Sequence, residues 1–270
     1  MSRPLWFVKM VRQAFPARFL LAKATNLPVL GRVAERWFFA GDELIYLPAD
    51  RSVQINQSID PPLETVLPSQ VVAHFIQGAS AHWIMDRCIC RQASGCKDYP
   101  VELGCLFLGE AALGINPRLG RRVTREEALN HAARCRAAGL VHLVGRNRLD
   151  TVWLGVGPGE RLLTICNCCP CCCLWRVLPH MTPHIGAKVQ RMPGVSVAVD
   201  EHCIGCGTCA DGACFVDAIQ MVDGRAVIGD GCRGCGRCVS LCPQGAIQIV
   251  VNPGGVGSSI HQIAPLVDLS

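Results

Sequence analysis

Apolar and polar positions set the first expectations. Near the N-terminus Trp6, Phe7, Met10, Val11 and Phe15 recur at roughly helical spacing among Arg3, Lys9, Arg12 and Arg18. This predicts a basic amphipathic arm over residues 1–40, helical but broken at Pro16 and Pro28. Three roles fit such an arm: a membrane-surface anchor, a docking arm for a partner protein, or helices packed on their own domain with Arg heads in solvent. From Pro68 to Asp86, apolar Val71, Val72, Phe75, Ile76, Trp83, Ile84 and Met85 suit a helix interrupted at Gly78. His74 and His82 within it read as core or surface residues rather than ligands. The best-signalled helix is Arg125 to Ala138, with Thr124 and Glu127 placed for a capping box and Gly139 for the stop. Leu140–Val144 and Thr151–Val156 read as short strands, the second leading to a Gly157-Pro158-Gly159 turn. Turn residues from Leu178 to Gly194 read as a linker, and residues 252–270 as a flexible tail.

Composition narrows the class. Of 270 residues, 50% are hydrophobic and 17% charged, which excludes a disordered chain. No apolar stretch is long enough for a spanning helix, and basic residues interrupt each short apolar run at the N-terminus before a secretory signal can form. The expected location is cytoplasmic, with the inner face of the membrane as the alternative that the arm allows. The formal charge is +5, but residues 1–40 carry seven Lys or Arg against Glu35 alone. Nucleic acid is not expected, because the basic segment is strongly apolar and its charge modest.

Cysteine changes the picture more than charge does. There are 19, an odd number, so complete internal disulfide pairing is excluded. In a reducing compartment such a chain points to metal or redox chemistry. Cys88, Cys90, Cys96 and Cys105 form one group; Cys166, Cys168, Cys169, Cys171, Cys172 and Cys173 form another; Cys135 stands alone and reads as a buried thiol. Eight more lie between residues 203 and 242.

That last group is a repeat. Cys203, Cys206 and Cys209 are followed by Cys214; Cys232, Cys235 and Cys238 are followed by Cys242-Pro243. Three thiolates at intervals of three on a tight loop suit three irons of one cubane. Gly205, Gly207, Gly234 and Gly236 let the backbone wrap closely. A zinc site would want two separated pairs instead. Because the fourth Cys of each half ligates the other half's cluster in such repeats, Cys203, Cys206, Cys209 and Cys242 form one expected ligand set. Cys232, Cys235, Cys238 and Cys214 form the other. Residues 195–251 thus resemble the bacterial-type ferredoxins that carry two [4Fe–4S] clusters. The resemblance implies one-electron transfer and a pseudo-two-fold domain of β-hairpins and short helices. The chain departs from the family pattern in two places: one extra residue stands between Cys209 and Cys214, and Phe215 replaces the usual proline.

The ten earlier clustered cysteines resemble a family of anaerobe iron–sulfur proteins in which a Cys-rich module precedes a dicluster ferredoxin segment. Six thiols within eight residues need metal or burial to control them. One or two further iron–sulfur clusters, one cluster plus a reactive pair, a zinc site, or thiol–disulfide chemistry all suit Cys88, Cys90, Cys96, Cys105, Cys166, Cys168, Cys169, Cys171, Cys172 and Cys173. Arg91 beside Cys90 either tunes these thiols or lies on the surface. No GxGxxG after a strand, phosphate loop, HExxH or GxSxG occurs, so nucleotide binding is not supported.

The expected fold is α+β. A mainly helical Cys-rich domain spans 41–178, a linker 179–194, and a ferredoxin-like domain 195–251. The expected function is a relay of single electrons through the C-terminal clusters to or from an N-terminal centre, within a complex of redox partner proteins. A reductase with a catalytic N-terminal cluster and a redox or iron sensor are the alternatives. Two clusters, each about −2 with its thiolates, would turn the mildly basic chain into an acidic body with a basic arm.

Overall fold

A computed structural model describes residues 2–50 and 67–270. Helix occupies 41% and strand 19%, so the chain mixes both classes. The N-terminal helices α1 (Leu5–Ala14), α2 (Arg18–Ala24) and α3 (Pro28–Ala34) follow the proline punctuation. Pro16 sits in a single 3-10 turn between α1 and α2, and Pro28 takes the first position of α3, where a missing N–H costs nothing. A π-helical turn at Glu35–Phe39 leads to strand β1 (Glu43–Tyr46).

From residue 67 on come α4 (Ser69–Gly78), β2 (His82–Met85), α5 (Ile89–Ala93), β3 (Leu106–Leu108) and β4 (Gly120–Arg122). Then follow α6 (Arg125–Ala137), β5 (Val141–Arg146), α7 (Arg148–Leu154) and β6 (Leu163–Cys168). Strand β7 (Val189–Arg191) follows the short helix α8 (Pro183–Gly186). Together the strands make a seven-stranded sheet in the order β4-β2-β3-β6-β5-β1-β7, antiparallel except for β1 with β7.

Helix exceeds strand, as expected, but the expectation of only a few strands around the Cys-rich loops is corrected by this sheet. The reason is period. Leu44, Ile45 and Tyr46, or Leu163 to Cys168, are buried on both faces, and runs without alternation resemble helix or loop in the sequence. Ile45, Val144, Leu163 and Ile165 turn to one face, packed with α4 and α6. Tyr46, Leu143, Cys166 and Cys168 turn to the other.

Three local expectations are corrected. Gly78 ends a helix and the following residues pair as β2, rather than continuing it. Residues 151–154 belong to α7, not a strand. Asp150 is buried there, accepting hydrogen bonds from Asn147, Trp153 and Thr164, and Gly155 stops the helix in the left-handed region at φ 67°. The supposed linker contributes β7 to the sheet, because Val189 is buried against β1.

The C-terminal segment holds strands β8 (Val195–Val199), β9 (Ile219–Val222), β10 (Arg225–Ile228) and β11 (Ile247–Val251), with helix α9 (Arg237–Leu241) before β11. β9 and β10 form a hairpin, and β8 pairs with β11. Val195, Ile249 and Val251 share one apolar core with the large sheet. The flexible tail is also corrected: residues 255–263 form α10 (Gly255–Ile263), whose Ile263 is fully buried in that core.

Candidate metal centres

The C-terminal cysteines are built by glycine and by backbone amides. Gly205, Gly207, Gly234 and Gly236 all take positive φ, between 63° and 78°. A Cβ on Gly205 would lie 2.0 Å from the carbonyl oxygen of Gly224, so the close approach demands glycine. The repeat is visible in the amides: Ala218 N–H donates to Cys214 Sγ and Ala246 N–H to Cys242 Sγ, both at 3.3 Å. Ala226 and Gly234 amides reach Cys203 and Cys232 in the same manner. Cys203, Cys206, Cys209 and Cys242 surround one hollow closed by Ile204, Met221 and Ile247. Cys214, Cys232, Cys235 and Cys238 lie together deeper in the molecule, where burial pushes the Cys235 and Cys238 thiols up to about 12. A cationic metal core turns such thiols into thiolates. The donor set and its amide cradle fit an iron–sulfur cluster.

The ten N-terminal cysteines form two sets that share Cys169. Cys88, Cys90, Cys105, Cys166, Cys168, Cys169 and Cys173 line one chamber between the sheet and the N-terminal helices. Cys105 and Cys166 sulfurs stand 3.9 Å apart. Cys88 is lowered to about 7, by its hydrogen bond with Cys90 and then by Arg91. Cys90, Cys166 and Cys173 are raised by their neighbouring thiols and by burial. Cys96, Cys171 and Cys172 gather with Cys169 beyond the end of β6, all four sulfurs within 4.8 Å of one another. Cys135 joins neither set; it is buried, lies 3.6 Å from His131 Nε2, and is pushed by burial up to about 12.

Arg91 lies between the two sets and has no solvent exposure. Its guanidinium donates to the carbonyl oxygens of Asn167, at 2.8 Å, and Leu103, while Nε has no partner. Cys88, Cys169 and Cys105 face it. Asn167 holds the region together, donating to Gly104 O at 2.7 Å and accepting from His142 Nδ1 at 2.8 Å.

Sequence reasoning missed the two tyrosines, the only ones in the chain. Tyr46 Oη is 3.7 Å from Cys173 Sγ, and its ring centroid is 4.8 Å from that of Phe215. Tyr99 packs among Cys96, Cys169, Cys171 and Cys172 and accepts a hydrogen bond from Arg237. Their rarity was the one available signal. The substituted proline position, Phe215, is the residue that touches Tyr46.

Comparison with protein families places a 4Fe-4S binding domain at residues 226–248, covering Cys232, Cys235, Cys238 and Cys242. Neither a comparison with curated proteins nor one with solved structures gives a match. The chain therefore carries an iron–sulfur domain with at least one [4Fe–4S] cluster and an electron-transfer role.

Proposed function

We propose that this protein is an electron relay between redox partners, with two C-terminal clusters and a third centre held by the six chamber thiols other than Cys169. The observation that carries the reading is the packed path Cys214-Phe215, Tyr46, Cys173, with ring centroids 4.8 Å apart and 3.7 Å from hydroxyl to thiol. It runs from a C-terminal ligand position to a chamber thiol with no solvent gap, since Tyr46, Phe215 and Cys173 are all buried. Iron–sulfur clusters supply one-electron chemistry at potentials set by burial and hydrogen bonds. The chain's own residues hold the thiols, exclude water and aim amides at sulfur. At the opposite end Cys206 is exposed, which suits exchange with a partner protein.

The test is an anaerobic iron count on the full chain, with thiol alkylation. More than the eight irons of two four-iron clusters is expected, with the chamber thiols protected. Eight irons with the six chamber thiols freely alkylated would refute the third centre. A second reading, a reductase, is favoured by the chamber itself, a cavity of about 410 Å³ reached past Met10 and Leu21. A small molecule that perturbs the chamber's signal in electron paramagnetic resonance would select it.

We further propose that the arm seats on an anionic lipid surface. Among the described residues, ten of the sixteen exposed large hydrophobic side chains lie between Trp6 and Phe38, with Trp6 68%, Leu20 71% and Trp37 61% exposed. Arg3, Lys9, Lys23, Arg32 and Arg36 are exposed among them, a charge pattern complementary to acidic headgroups. Among the described residues no helix is long and apolar enough to cross a membrane.

A further inference from the structure

We propose that Cys96, Cys169, Cys171 and Cys172 hold a single tetrahedral zinc ion, separate from the iron–sulfur centres.

The argument is one of size. Four thiolates on one metal at bonds of about 2.3 Å stand about 3.8 Å apart by tetrahedral geometry. Here Cys96 and Cys171 sulfurs are 3.6 Å apart, Cys171 and Cys172 are 3.6 Å apart, and every pair is within 4.8 Å. A cubane puts four irons and four sulfides between its thiolates and needs a wider tetrahedron. The eight C-terminal sulfurs, which carry the cubane motif, are not drawn together this tightly. Among the described residues only this set has three or more ligand atoms so close.

Local structure explains how adjacent cysteines reach one centre. Strand β6 ends at Cys168, and Pro170, Cys171 and Cys172 form a turn. The turn cancels the alternation that would send Cys171 and Cys172 to opposite faces. Cys96 comes from the loop after α5, so the ion would tie that loop to the end of β6.

Charge and burial agree. Zinc with four thiolates carries net −2, and a buried anion needs cations. Arg91 faces Cys169 with its Nε unpartnered, and Arg176 donates to the carbonyl oxygen of Cys171 at 2.7 Å. Cys169 and Cys172 are buried under Leu103, Leu140 and Tyr99. Four protein thiols fill every position of a tetrahedral shell, which makes a structural site, not a catalytic one. In the relay reading this site carries no electrons. It takes Cys169, which also lines the chamber, into the staple and leaves the other six chamber thiols for redox chemistry.

The experiment is metal analysis of the full chain, purified anaerobically with both metals supplied. One zinc per chain is expected, retained after oxidative removal of the iron. Cys172→Ser is expected to take zinc from one per chain to none while leaving the iron count unchanged. A chain grown with cobalt in place of zinc should show the visible bands of tetrahedral cobalt thiolate, a readout on the wild type that needs no variant to fold. Iron in place of zinc at this stoichiometry, or loss of four irons in Cys172→Ser, would overturn the proposal. One zinc with no iron anywhere would uphold it and sink the relay instead.

Discussion

A single arginine shows how much of the chemistry depends on burial. Arg91 stands beside Cys90 in the sequence, where it could equally face solvent. In the fold it has no exposure and meets backbone carbonyls and thiols. A guanidinium so placed is stabilised when the thiols around it are anionic, a state that metal binding would ensure. His142, nearby, is the opposite case. Burial, then the charge of Arg136, holds its pKa down to about 4 from the usual 6.5, so it is neutral in the folded chain. The unfolded chain takes up a proton there between pH 6.5 and 4 that the folded chain refuses. Stability from this ring is whole above pH 6.5 and falls as pH drops toward 4, by up to about 3 kcal/mol. In urea unfolding at pH 7.5 and 4.5, His142→Gln should lose less stability on acidification than the wild type. Equal losses would show that the ring does not titrate as its burial requires.

Elements were legible where local chemistry decides them. The Thr124 side chain accepts from Glu127 N–H and the Glu127 carboxylate accepts from Thr124 N–H, the reciprocal pair expected from two letters three apart. Removing that hydroxyl should matter on its own account: Thr124→Ala is expected to cost about 1 kcal/mol, read as a lowered urea midpoint with unchanged slope. No change in midpoint would mean that packing of Ala128, Ala132 and Cys135 holds α6 without its cap. Short apolar runs were not legible. Residues 151–154 and 82–85 are both brief and apolar, yet one is helix and the other strand. Buried bonds to Asp150 decide the first; a place between β3 and β4 decides the second. Neither cause lies within the segment.

At the scale of the molecule, the large sheet separates two environments. One face carries the apolar core shared with β8, β11 and α10; the other carries the thiol chamber under the N-terminal helices. Those helices expose apolar side chains outward as well, and exposed Met10 and Leu21 also line the chamber, on the face proposed to meet lipid. Full-length protein should float with vesicles containing anionic lipid and not with neutral ones, and high salt should weaken the binding. Leu20→Asp with Trp37→Asp should abolish it, since both are exposed and their loss spares the core. Concentration-dependent self-association without flotation would assign this face to a second copy of the chain instead.

The spacing of the eight C-terminal cysteines was enough, alone, to announce an iron–sulfur domain, because one short loop of thiols and glycines makes most of a cluster's cradle. Helix caps and proline breaks were equally local and equally readable. The other ten cysteines were visible as a group but not as sites. Cys96 meets Cys169, Cys171 and Cys172 across 73 residues or more. Cys105 meets Cys166 only because β3 and β6 are neighbours in the sheet. Tyr46 joins them to Phe215 only because β1 lies beside β5 on the chamber face. The two groups, which meet at Cys169, are a property of strand order and of one turn at Pro170, and strand order is set by long-range burial that no local pattern records.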